Sequence, residues 1–148
     1  MNVEKLESLK AKLRSPFMND QLCQIEVLIK GSLPTAYRNF LSTYGGASFD
    51  SVYYDDNGVS VQFGWFFDFE ELCSALDSYS DSIPGNMIPV GEDGGGNLYC
   101  LGIRGSVLGR LYFHDHSIGW DTEEDRQETV YKIANSLDAF INGMFICE

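Results

Sequence analysis

Positive charge is scarce in this chain. Ten Lys and Arg stand against twenty-two Asp and Glu, for a net charge of −12 at pH 7. That balance argues against nucleic acid as a partner, because cationic side chains supply most of the affinity for its backbone. It suits a cationic partner, and it also serves solubility alone. Long apolar runs are missing as well: none approaches the ~18 residues that cross a bilayer, so no membrane role is expected. Histidine occurs only at 114 and 116, and the cysteines, Cys23, Cys73, Cys100 and Cys147, form no C-x-x-C pair. Scattered thiols of this kind read as reduced, and three of them fall on apolar faces of expected elements. The N-terminus mixes Lys5, Lys10, Lys12 and Arg14 with Glu4 and Glu7 and has no apolar core of a leader, so a cytoplasmic location is expected.

What the chain does have is a 44% hydrophobic content with ten Phe and eight Tyr, enough for a substantial sheet. The length suits one domain over residues 1–148, able to bury about 70% of its unfolded surface. Val3, Leu6, Leu9 and Leu13 recur at helical spacing and predict a helix over 3–13. Asn19 is placed to cap a second helix through Lys30, with Leu22, Ile25, Leu28 and Ile29 inward and Gly31 as its stop. Pro34 suits the start of a third, whose face holds Leu33, Tyr37, Phe40, Leu41 and Tyr44 before Gly45 and Gly46 end it. The period then changes to two. Residues 48–54 and the Val59, Val61, Phe63 alternation make a hairpin around Asp56-Asn57-Gly58.

Asp68 and Glu71 have capping-box spacing and open a helix striped by Phe69, Leu72, Cys73, Leu76 and Tyr79. Strands are expected near 87–91, 97–103, 108–114 and 128–134. A last helix from Leu137 should bury Phe140, Ile141 and Met144. Helices at both ends of a strand meander predict an α+β fold with a largely antiparallel sheet flanked by helices.

The stretch Ile88 to Leu101, IPVGEDGGGNLYCL, carries three consecutive glycines. A phosphate loop normally feeds a helix N-terminus, but Asn97 to Leu101 read as a strand, and Glu92 and Asp93 repel phosphate. A turn between strands, with Gly95 or Gly96 at positive φ, is the reading adopted. This stretch resembles the "ip-ig-x-D-g-g-G-n-x-y-c-l" signature of the SUKH superfamily, the Smi/Knr-type proteins. Leu33 to Leu41 with Tyr44-Gly45-Gly46 is similar to that family's "LP-x-x-Y-x-x-F-L…N-G-G" helix. Gly109 to His116 is similar to its "g-x-v-y-f-w-d-H" strand, and Ser136 to Ile141 to its closing "S-f-x-e-F-l" helix. The departures are Tyr44 for a frequent Asn and Phe113 for the usual Trp. The resemblance spans about residues 20 to 145 in the family's order, and it implies a SUKH-like domain.

His114-Asp115-His116 is the one place where a metal-dependent enzyme is conceivable, but alternation along a strand sends Asp115 away from both rings. No G-x-S-x-G elbow, H-E-x-x-H helix or Walker lysine is present. Glu92 and Asp93 read as solvated, with no apolar pocket to raise one pKa. No catalytic residue, metal or cofactor is therefore assigned. The run Asp121 to Glu128 carries five acids against one base and reads either as a solvated loop or as the rim of a protein interface. The candidate partner-binding set is Trp120, Asp121, Glu123, Glu124 and Asp125, extended by Asp50, Asp55 and Asp56 if the fold gathers them. Tyr53, Tyr54, Trp65 and Phe66 read mainly as packing residues. What the resemblance implies about function is a bacterial immunity protein that binds and neutralises a cognate toxin domain, such as a basic nuclease. The alternative from the same fold is a regulatory adaptor; a small metal enzyme built on His114 and His116 is third.

Overall fold

The computed structural model describes residues 3–56, 59–116 and 130–146. Its elements are α1 (Val3–Ser8), β1 (Lys12–Leu13), α2 (Asn19–Ile29), α3 (Thr35–Tyr44), β2 (Ala47–Asp56) and β3 (Val59–Phe66). They continue with α4 (Phe69–Ser78), β4 (Met87–Glu92), β5 (Leu98–Gly102), a 3-10 turn at Gly105–Val107 and β6 (Leu111–His114). The chain then forms β7 (Val130–Ala134), α5 (Leu137–Asn142) and β8 (Met144–Ile146). The strands pair antiparallel in the order β1-β2-β3-β4-β5-β6-β7, and β8 joins the edge of β2 that β1 also uses. The expected α+β architecture with an antiparallel meander is what forms.

Two local signals act as the sequence suggests. The Asp68 side chain accepts from Glu71 N–H at 2.9 Å while the Glu71 carboxylate accepts from Asp68 N–H at 3.0 Å, a reciprocal cap for α4. In α3, Tyr37, Phe40 and Leu41 are fully buried, and Gly45 ends the helix at φ +68°. A Cβ there would sit 1.8 Å from the Ser15 carbonyl oxygen, so glycine is required by space as well as by dihedral.

Other expectations give way to tertiary pairing. The helix at 3–13 stops at Ser8. Lys10 turns left-handed at φ 58° and the chain leaves to pair Lys12 and Leu13 with β2, so Leu6 and Leu9 are buried while Val3 and Leu13 are exposed. The α2 cap position is Met18, whose N–H donates to the Gln21 side chain at 2.8 Å. Leu28 is 56% exposed, because it lies at the margin of the stripe formed by Leu22, Ile25 and Ile29. Met144 is buried from a strand, since α5 ends at Asn142 and the chain crosses to β2. Of the described cysteines, Cys23 is exposed while Cys73 and Cys100 face the core; Cys147 lies outside the described residues.

The sheet does not lie flat. β2 and β7 stand five strands apart in its order, about 24 Å at ~4.8 Å per strand if the sheet were planar. Yet the Tyr54 hydroxyl donates to the Ile133 carbonyl at 2.9 Å. The sheet therefore curls until its two sides meet, and α5 fills the curl. Phe140 lies 5.0 Å from Tyr54, 5.4 Å from Phe63 and 5.5 Å from Tyr99, ring centre to ring centre. The interior strand β5 is buried along its whole length, which means both of its faces are covered.

The stop of α2 differs from the sequence expectation in a testable way. Lys30, not Gly31, occupies the left-handed position at φ 55°, with Lys30 N–H on Val27 O and Gly31 N–H on Glu26 O. A non-glycine residue there costs about 1 kcal/mol. Lys30→Gly should raise the urea midpoint by an amount equivalent to about 0.5–1 kcal/mol. Gly31→Ala should be close to neutral, because a Cβ at 31 meets only Arg104 Nη1, at 3.9 Å. A loss of stability in Lys30→Gly would contradict the Schellman assignment.

Candidate functional site

The glycine stretch is a turn between β4 and β5, and its acid is a ligand for the turn itself. Asp93 Oδ1 accepts from Gly95 N–H at 2.7 Å and from Asn97 N–H at 3.2 Å. The positive dihedrals belong to Gly94 and Gly96, not Gly95. Asp93 Oδ2 accepts from the Asn97 amide at 2.9 Å, which fixes the amide nitrogen on the Asp93 side and turns its oxygen outward. That oxygen then accepts from both His116 N–H, at 3.2 Å, and His116 Nδ1, at 2.6 Å. The His116 ring lies over Gly96, where a Cβ would come within 3.3 Å of three ring atoms. Sequence reasoning found each of these residues but not their joining, since residues 97 and 116 become neighbours only through the β5–β6 pairing.

The two histidines consequently part company. His114 is buried, 2% exposed, and its Nε2–H donates to the Ser82 carbonyl at 3.1 Å, leaving Nδ1 buried without a partner among the described residues. Burial lowers its pKa, against the opposing pull of the Ser82 bond and Asp115. Of the two rings, that of His116 is the exposed one. Each ring is committed to a different partner, and no group of three metal-ligating side chains converges among the described residues.

Glu92 also departs from expectation. Burial first, then Asp93 and Glu71, push its carboxyl above the usual range, beside Trp65 and Tyr79 in a cavity of about 220 Å³. Cys73 and Cys100 are likewise raised by burial, which disfavours their thiolates. At the other side of α4, Arg14 Nη1 sits 3.0 Å from Asp68 and 3.1 Å from Glu71, tying the β1 region to the α4 cap.

The structure gathers part of the acidic candidate set. The five residues of β2 from Ser48 to Val52 span the three of β3 from Trp65 to Phe63. Phe49 and Val52 therefore both point inward although they are three apart, and Asp50 and Ser51 are both exposed. Beyond the bulge the ordinary alternation resumes, so Tyr53 and the exposed Asp55 share the outer face with Asp50. Tyr53 stacks on the partly exposed Phe145 of β8, with ring centres 6.2 Å apart. Tyr54, Trp65 and Phe66 pack against or within the core, as anticipated. The Asp56 side chain, and Trp120, Asp121, Glu123, Glu124 and Asp125, lie outside the described residues.

A family described as SUKH_6, SMI1-KNR4 cell-wall, matches residues 19–141, from the start of α2 into α5. The chain is also 30% identical, over 146 aligned positions, to an SPbeta prophage-derived uncharacterized protein, YokK, of Bacillus subtilis (strain 168). That alignment covers 83% of this chain and 72% of the relative.

Opposite tautomers follow for the two rings. In imidazole nitrogen spectra at neutral pH, His114 should carry its proton on Nε2 and His116 on Nδ1. Asn97→Leu should return His116 to the ordinary mixture and leave His114 unchanged; an unaltered His116 would break the proposed chain from Asp93. A pH effect follows from His114. The unfolded imidazole, with its ordinary value of 6.5, takes up a proton that the native ring resists, so stability should fall as pH drops below about 7. Above that range both forms are neutral and nothing is gained. Glu92 acts in the opposite sense, binding protons more readily when folded. Urea unfolding of wild type and His114→Gln from about pH 7 to about pH 5 should show a shallower decline in the variant; parallel curves would exclude His114 as the source.

Proposed function

The chain belongs to the SUKH (SMI1-KNR4) family, whose members are typically immunity proteins, and from that premise we propose that it binds a cognate toxin domain and neutralises it without turnover. The partner on this reading is a basic protein, of the kind that handles nucleic acid. The observation that carries it is the outer face of β2, where the bulge puts Asp50, Tyr53 and Asp55 on one side with Phe145. Stacked, half-exposed aromatics flanked by carboxylates combine an apolar anchor with a charged surround. The net charge of −12 supplies the longer-range attraction that speeds encounter with a cation. Trp120, Asp121, Glu123, Glu124 and Asp125, together with Asp56, are proposed from the sequence as further contacts for the partner.

The test co-expresses a candidate toxin domain, taken from a gene neighbouring this one, with and without the protein. Growth should be rescued, and the purified pair should bind one to one. Neutralising Asp50 and Asp55 together should slow association and flatten its salt dependence. Tyr53→Ala should instead speed dissociation, costing about 2 kcal/mol of binding. The same contrast is expected between the triple Glu123, Glu124, Asp125 neutralisation and Trp120→Ala. If both proteins are soluble and growth still fails, immunity to that toxin is rejected and the adaptor reading moves ahead.

A further inference from the structure

A second surface has the opposite chemistry. Two depressions, of about 180 and 390 Å³, flank Arg104 and share Ile103 as a wall. The first is lined by Leu28, Ile29 and Ile83, among others, and the second by Leu108. Of the residues lining the two, Arg104 alone is charged, although acids outnumber bases by twenty-two to ten in the chain. Its guanidinium is held in place, donating from Nη2 to the Ile29 carbonyl at the end of α2, at 3.2 Å. No carboxylate of the described residues pairs with it. Beside it the surface is apolar as well: Leu28 and Leu108, which line the two hollows, are 56% exposed each. Apolar side chains grouped beside a groove in this way mark a contact site more often than scattered ones do.

A fixed guanidinium with free donors, between two apolar hollows, specifies its ligand. The fork recognises a carboxylate, and each hollow recognises an apolar side chain on either side of it. We propose that this groove docks a peptide segment of another protein that presents an acidic residue flanked by apolar ones. This inference does not depend on the toxin reading. The acidic face of β2 suits a cation, whereas this groove suits an anion, so the two surfaces take different partners or different parts of one partner.

The probe is a phage-displayed library of random twelve-residue peptides selected against the immobilised full chain. The recovered peptides are then synthesised and their binding followed by fluorescence polarisation. Recovered sequences should share an Asp or Glu with apolar residues to both sides. They should lose at least ten-fold in affinity on Arg104→Glu, and replacing the peptide acid by Lys should restore binding to that variant. Leu28→Asp should also weaken binding. Both positions are exposed, so thermal melts of the variants should stay near wild type and separate lost docking from lost folding. Selection without acid enrichment, or equal binding to wild type and Arg104→Glu, would overturn the proposal. Two other results would also overturn it as stated. Dodecanoate binding in the groove while selected peptides do not would point to an anionic amphiphile. A concentration-dependent dimer abolished by Arg104→Glu would point to a second copy of this chain.

Discussion

Everything in this fold leans on Phe140. It comes from a helix of six residues, too short to be stable alone, and it touches rings from β2, β3 and β5 at once. β2 and β3 are neighbours but β4 lies between them and β5, and all three share one ring because the sheet curls round it. Tyr54 then closes the curl by reaching the Ile133 carbonyl, and β8 returns to pair with β2. Aromatic pairs add about 0.5–1.5 kcal/mol each beyond their area burial, so a hub of this kind concentrates stability in one place. The sheet and α5 thus hold each other: without the helix the concave face loses the ring that joins β2, β3 and β5, and without the curl Phe140 cannot meet all three.

The residues that carry the family resemblance mostly serve this construction. Tyr37, Phe40 and Leu41 bring α3 onto it, Phe40 meeting Phe66 at 4.9 Å. Gly45 lets the chain pass Ser15, and Ser136 caps α5 by accepting from Ala139 N–H at 3.0 Å. Asp93, Asn97 and His116 lock the β4–β5 turn to the end of β6. A motif set with these duties identifies a fold reliably and says little about a partner. The outer face of β2 lies outside those motifs, whereas the groove around Arg104 takes Leu33, Pro34, Ile88 and Pro89 of its lining from them.

Charge divides the molecule. The exposed acids of β2 sit beside a stacked aromatic pair, while the one charge lining the Arg104 groove is positive. A net charge of −12 describes neither surface. It sets the long-range field that steers encounter, whereas local arrangement decides which groups are desolvated on contact.

The sequence by itself determined most element types, the antiparallel α+β class, the α4 capping box, the α3 face and the glycine turn. Each depends on residues within a turn or two of one another, through periodicity, capping and allowed dihedrals. Tertiary structure decided the rest. Residues 3–13 read as one helix, but Lys12 and Leu13 gain more from β2 than a further turn offers. Lys30 takes the left-handed position one residue before the glycine expected to hold it. His114 and His116 are alike in sequence, yet pairing with β5 and packing against Ser82 bury one and clasp the other. Asp50 and Asp55, odd-spaced and so destined for opposite faces of a regular strand, share one because β2 bulges against β3. In each case the outcome turns on which distant edge the chain meets, and neighbouring residues carry no record of that.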